Sequence, residues 1–282
     1  MTETYNLRGL LNHFIKYLKD QKRSGFTIIA YKKDLEQFIG HLASIEKTEI
    51  KEVKKEDIES FINKLLSQNY TKKSTSRKLN SLRTFFRFLK SDGLIVQNPS
   101  LEVPHPKYAQ PPPRILTKLE YRGLRDYAKN NIRTYTMIEL LLQTGIRISE
   151  LAAIKINDIK NNNLHLEGKN IPLNNTVKTA IDNYIKIRHK STNNHLFVTK
   201  TGKPLLLRNI RTIIDKCFKE IDIQDATVND LRNTFIGYQL SKGASVSYIA
   251  KIVGHKRLSS TERYLRLIQI TKSQNKEKLE EL

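Results

Sequence analysis

Six of the chain's 8 prolines fall between residues 98 and 114, in the stretch NPSLEVPHPKYAQPPPR. A helix does not run through such a segment. Proline lacks the backbone N–H, and its ring clashes with the preceding turn. Proline-rich stretches act instead as stiff, extended spacers. The sequence therefore predicts two folded parts, residues 1–100 and 115–282, joined by a linker at 101–114. A length of 282 residues agrees with two domains.

The first part reads as helices. Leu11, Phe14 and Leu18 keep helical spacing, as do Ile28, Tyr31, Leu35, Phe38 and Leu42. Ile58, Phe61, Ile62 and Leu65 mark a third helix. Leu79, Leu82, Phe86 and Leu89 mark a fourth, entered through TKKSTS, which offers several N-caps. Four helices of this length predict a small bundle. The second part is mixed. Helical patterns cover about 117–130 and 133–144, and Gly145 stops the second of them. SELAAI predicts a further helix. KINDI, NLHLE and NIPL alternate and predict a three-stranded antiparallel sheet from about 154 to 173. The remainder reads helical at 174–189, 207–220, 228–241, 245–253 and 258–267. The expected class is mostly α with a small antiparallel β-sheet.

Charge narrows the function. The chain carries 50 Lys and Arg against 28 Asp and Glu, a net +22 spread through both parts. Self-repulsion at this level points to a polyanionic partner, and its spread fits folded domains that bind nucleic acid. Arg77, Lys78, Arg83 and Arg87 lie along the fourth helix and are expected to contact DNA phosphates. No run of eighteen apolar residues is present, so no membrane span is expected. The N-terminal MTETYNLRGLLNHF lacks a signal-peptide pattern. Cys217, the only cysteine, excludes an intramolecular disulfide and reads as a core thiol. These features predict an intracellular soluble protein. Zinc-ligand spacing, Walker loop, nucleophile elbow and carboxylate cluster are all missing, so neither metal nor cofactor is expected.

Four pieces of the second part could carry chemistry. LLLQTGIRISEL places Arg147 just after a helix stop. LEGKNIPL places Lys169 at a tight turn between two strands, with Lys155 and Lys160 less suitably placed nearby. VNDLRNTF places Arg232 near a helix start. VGHKRLSSTERYL sets Tyr264 nine residues after His255, among cations. Each residue alone has an ordinary structural use. Tyr264 would pack its ring, His255 would cap a helix, Lys169 would sit in a turn, and the arginines would pair with Glu150 and Asp230.

Together and in this order, these residues resemble the tyrosine recombinase family of phage integrases and Xer-type recombinases. The resemblance covers most of the chain. It implies a helical core-binding domain, of SAM-like type, before the linker. After it comes a catalytic domain ending in a protomer-docking tail, RLIQITKSQNKEKLEEL, and the two domains form a C-shaped clamp on DNA. It also implies partners: double-stranded DNA with inverted core sites, and self-association to a synaptic tetramer that works through a Holliday junction. By resemblance, Tyr264 attacks the scissile phosphate and becomes linked to the 3′ end. Arg147 and Arg232 bind the phosphate, Lys169 protonates the 5′ oxygen, and His255 hydrogen-bonds the phosphate. Glu150 and Asp230 would orient the arginines.

The residue chemistry suits this reaction. A tyrosine hydroxyl conserves the phosphoester energy in a covalent link, without metal or ATP. Two guanidiniums present planar, permanently charged forks to a phosphate whose charge grows during attack. One departure stands out. The family's arginine box reads His-x-x-Arg-His, and here it reads Asn229-Asp230-Leu231-Arg232-Asn233. Asn229, at the position of a catalytic histidine, can hydrogen-bond but cannot act as a base near neutral pH. That keeps two alternatives in view: a DNA-binding protein of this fold without strand transfer, and a type IB topoisomerase-like enzyme. The altered box also leans the expected role toward a mobile-element recombinase such as a transposon resolvase. The helices begin near the first residue, which argues against a larger layout with an added arm-binding domain.

Overall fold

The structure is a computed structural model that describes residues 6–109 and 111–276. It divides into two compact units, Met1–Gln110 and Pro111–Leu282.

The first unit holds four helices, α1 (Leu7–Asp20), α2 (Gly25–Ser44), α3 (Lys55–Ser67) and α4 (Lys72–Ser91). Asn6, Ser24 and Thr71 cap α1, α2 and α4 by accepting from the backbone N–H three residues on. The apolar stripes read from the sequence meet in one core. Phe14, Leu35, Leu42, Ile58, Leu79, Leu82 and Phe86 are fully buried there. Phe14 packs edge-on against Phe85 at 5.3 Å between ring centroids.

The charges of α4 serve the fold before any partner. Asp34 of α2 is 2% exposed and accepts from Arg77 at 2.6 and 2.9 Å, Lys78 at 2.9 Å and Ser81 at 2.7 Å. Lys78 is itself buried by this pairing, so the expected phosphate contact from Lys78 is not available. Arg83 points the other way. It donates to the carbonyls of Ser100 and Val103 and to His105, which straps the start of the proline-rich stretch onto α4. The expected DNA contact of Arg83 is therefore also spent inside the unit. Arg77 stays on the surface although paired, and Arg87 is exposed.

The second unit is built around α6 (Ile132–Thr144), which packs against α5 (Lys118–Ala128), α8 (Asn175–Ile187) and α10 (Val228–Ser241). The other helices are α7 (Ile148–Ala153), α9 (Leu207–Glu220), α11 (Val246–Val253) and α12 (Ser259–Lys276). Met137, Ile138, Leu140, Leu231 and Ile236 form the centre of its core. The expected sheet is present in the order β1 (Ile159–Lys160), β2 (Asn163–Leu166), β3 (Lys169–Pro172), all antiparallel. Its first strand is shorter than KINDI suggests. Asp158 accepts from the backbone N–H of Lys155 and curls Ile156–Asp158 into a 3-10 turn. Leu164 of β2 stands opposite Ile171 of β3, and both face the core. The expected docking tail, 266–282, falls partly outside the described residues, and α12 runs to Lys276.

The Asp34 cluster carries a stability prediction. Burial alone would raise the Asp34 carboxyl, but hydrogen bonds from Arg77, Lys78 and Ser81 outweigh it and hold the group below its ordinary value. A depressed carboxyl stabilises the fold above its ordinary value, and that contribution is lost as pH falls through the folded value. Asp34→Ala also strands the buried Lys78. Urea unfolding at pH 7 should show a loss of about 3–5 kcal/mol. In the variant, the wild type's decline in stability below pH ~4 should be correspondingly smaller.

Candidate active site

Two left-handed glycines frame the site. Gly145 ends α6 with φ +63°, and Gly254 ends α11 with φ +67°. Side-chain-bearing residues rarely adopt this conformation, and glycine adopts it freely. At Gly145 a Cβ would also overlap the ring of Phe235, and at Gly254 it would overlap Lys169 Cε. The turns leave carbonyls free at two helix C-termini, where the helix dipole favours cations.

Arg232 fills the space between them. Its Nη1 donates to Gly145 O at 2.5 Å and its Nη2 to Val253 O at 2.7 Å. The residue is only 5% exposed. Burial, then Arg147, lower its pKa to about 10, so it stays cationic at neutral pH. Arg147 comes from the N-cap of α7 and is exposed. It donates to Gly254 O at 3.0 Å and to Val253 O at 3.4 Å. Val253 O thus joins both arginines.

Glu150 is the counter-ion. It accepts from the Arg147 backbone N–H at 2.7 Å, from Arg147 Nη1 at 3.1 Å, and from Lys169 Nζ. Glu150 thus pairs with both the backbone and the guanidinium of Arg147. Lys169 differs from the reading of a lysine held out at a turn. It is the first residue of β3, opposite Leu166, with a side chain 6% exposed. Strand alternation explains this, because Lys169 shares the inward face with Ile171. Burial, then Arg147 and Arg232, outweigh Glu150 and lower its pKa.

His255 follows Gly254. Its Nδ1 lies 2.7 Å from the hydroxyl of fully buried Thr261. Burial first, then Arg232, Arg147, Lys169 and Arg263, push its pKa down to about 4. Tyr264 sits on α12 and is 6% exposed, and its hydroxyl donates to Asn233 Oδ1 at 2.7 Å. Burial raises its pKa, with partial opposition from Arg263 and Arg232.

The altered box is arranged differently from expectation. No hydrogen bond joins Asn229 to Tyr264. Asn229 donates to Asn233 Oδ1 at 3.3 Å, the same oxygen that accepts from the tyrosine. Asp230 touches neither arginine. As the N3 residue of α10 it is drawn to the helix start, where it accepts from the backbone N–H and hydroxyl of Thr227, and from Asn233 at 3.0 Å. Thr261 is a polar partner that the motifs did not single out, and Asn233 stood out only as a departure from the family's box.

The arrangement is a cationic cradle. Two guanidiniums and an ammonium face one carboxylate, with a neutral imidazole beside them. A cleft of about 960 Å³ opens next to it, lined by Arg147, Arg232 and Asn229 together with Arg211, Phe218 and Lys219. Residues 114–269 match the phage integrase family, and residues 11–93 match its N-terminal SAM-like domain. The chain belongs to the phage integrase family of tyrosine recombinases. It is a site-specific recombinase. It is 30% identical over 274 residues to "Tyrosine recombinase XerC" of Roseiflexus castenholzii, covering 90% of this chain and 87% of that one. It is 31% identical over 275 residues to a tyrosine recombinase of Pseudothermotoga lettingae, covering 93% and 95%. Its fold matches a lambda integrase dimer bound to a core site, with TM-score 0.75, 19% identity and coverage of 90% and 97%. It also matches the Tn1549 transposon integrase with circular intermediate DNA, with TM-score 0.76, 20% identity and coverage of 92% and 94%. Neither the binding-only reading nor the topoisomerase-like one is favoured by these relatives.

The imidazole of the DNA-free recombinase has a measurable signature. A histidine depressed from 6.5 to about 4 is neutral at pH 7. It stabilises the fold fully above pH ~6.5, and this contribution declines as pH falls toward ~4. An NMR titration of the His255 ring should place its midpoint near 4. A midpoint at or above 6.5 would contradict the buried, cation-flanked setting.

Proposed function

We propose that this recombinase cleaves duplex DNA through Tyr264 and needs neither metal nor ATP. Tyr264 Oη attacks the scissile phosphorus, the P–O5′ bond breaks, and the protein is left on the 3′ end. Arg147 and Arg232 bind the nonbridging oxygens. Lys169 gives its proton to the leaving 5′ oxygen, and His255 adds a hydrogen bond to the phosphate. One observation carries the reading: Arg147, Arg232 and Lys169 converge on one point, against a single carboxylate, beside the tyrosine. A pre-placed cationic site of this kind is worth most where negative charge develops. Burial lowers the Lys169 pKa toward the operating range, which suits a proton donor.

The partner in this reading is double-stranded DNA carrying inverted core sites, gripped by both units, with residues 1–100 as the core-binding domain and 101–114 as the linker. The net +22 supports it. Four protomers would act on one synapse, through a Holliday junction. A lambda integrase tetramer bound to such a junction shares this fold, with TM-score 0.75 and 18% identity. Of the four α4 cations expected to meet DNA, Arg77 and Arg87 stay at the surface to contact phosphates. No described helix is long and apolar enough to cross a membrane, in keeping with a cytoplasmic site of action.

A nicked suicide duplex, selected from a random library by binding, tests the chemistry. Wild type should form a covalent adduct on a denaturing gel, and Tyr264→Phe should not. An equal adduct from both would overturn the assignment. Lys169 is tested in the same assay with sulfur in place of the bridging 5′ oxygen. A thiolate leaves without a proton at neutral pH, having a thiol pKa of about 8.5. Lys169→Ala should cleave the oxygen substrate about 10²–10⁴-fold slower and recover on the sulfur substrate.

A further inference from the structure

The replaced arginine box leaves the nucleophile without an imidazole partner, and the structure supplies another. Tyr264 Oη donates to Asn233 Oδ1 at 2.7 Å inside the fold. An asparagine amide can turn either end toward a neighbour. Here its direction is fixed. Asn233 Nδ2 donates to Asp230 Oδ1 at 3.0 Å, which aims Oδ1 at the tyrosine. Asp230 is held in turn, because its Oδ2 accepts from the backbone N–H and the hydroxyl of Thr227, both at 2.8 Å. Asn229 Nδ2 supports the same Asn233 oxygen at 3.3 Å. Asp230 and Asn233 are 6% and 4% exposed, so water competes little for these bonds.

We infer that Asn233, oriented by Asp230, is the anchor that sets the position of the Tyr264 hydroxyl, and that it does so without a titrating group. The inference rests on Tyr264 being the nucleophile. An amide accepts a hydrogen bond and takes no proton near neutral pH. Asn233 therefore fixes geometry alone and removes no proton during attack. The charged groups facing Tyr264 are Asp230 and Arg232 from α10 and Arg263 from α12. Arg147, Glu150 and Lys169 act on Arg232 from α7 and β3. His255 faces Arg232, Arg147, Lys169 and Arg263. None of these is a neutral-range acceptor bonded to the hydroxyl in place of Asn233.

Single-turnover cleavage of the nicked suicide duplex tests this, with Tyr264→Phe as the control and DNA affinity and thermal midpoint measured for each protein. Asn233→Ala should bind DNA as wild type does and cleave about 10–100-fold slower, the scale of a misplaced reacting group. Asn233→Asp keeps the size and the acceptor oxygen and carries the test if the alanine variant does not fold. It sets a second carboxyl beside Asp230, and two such groups hold one proton between them until the pH is raised. The ratio of its cleavage rate to that of wild type should fall as pH rises from about 5.5 to about 8.5 and the shared proton is lost. A folded Asn233→Ala that cleaves at the wild-type rate overturns the anchor. So does a pH-independent rate ratio for Asn233→Asp. Both failures leave the Tyr264-dependent adduct of wild type intact. Absence of that adduct in wild type would instead overturn the nucleophile assignment, and the anchor with it.

Discussion

The second unit depends on a buried guanidinium between two helix ends. Arg232 has its charge in the interior, where an unpaired ion costs several kcal/mol. It is stable there because Gly145 O and Val253 O accept from it at 2.5 and 2.7 Å. Both oxygens are free only because α6 and α11 stop in left-handed glycines. The same turn at Gly254 supplies a carbonyl to Arg147 and leaves space for Lys169. One conformational choice therefore places three cations. Tyr264 then reaches the group through α12, the helix that follows this turn.

Glu150 balances part of this charge. In the proposed reaction the scissile phosphate meets the rest. The first unit invests its charge differently. Lys78 and Arg83 hold α4 to α2 and to the strap at 100–105, so a lysine or arginine on a basic helix is not thereby a DNA contact. The net +22 overstates the charge presented to a partner, because part of it is consumed in folding.

Much of this was legible in the sequence, for physical reasons. Apolar spacing located the helices because it is their burial that makes them form. Gly145 marked the end of one of them, and the order of Arg147, Lys169, Arg232, His255 and Tyr264 pointed to the family. Side-chain direction was harder. Lys169 sits beside a tight turn, but the inward face it shares with Ile171 decides where it points. Asp230 reads as a partner for Arg232 two residues on, yet residues so spaced on a helix do not face each other. It bonds Thr227 and Asn233 instead. Asn233 was visible only as a missing histidine. Its role needs α10 and α12 packed together, a contact no local pattern encodes.

In the proposed reaction Arg232 serves the chemical step and not the holding of DNA. Arg232→Lys retains the charge but loses the fork that spans both carbonyls. The decisive measurement is its single-turnover cleavage rate beside its DNA affinity. Affinity should stay close to wild type and cleavage should slow by about 10²–10³-fold. Wild-type cleavage, or a loss explained wholly by weaker binding, would contradict it.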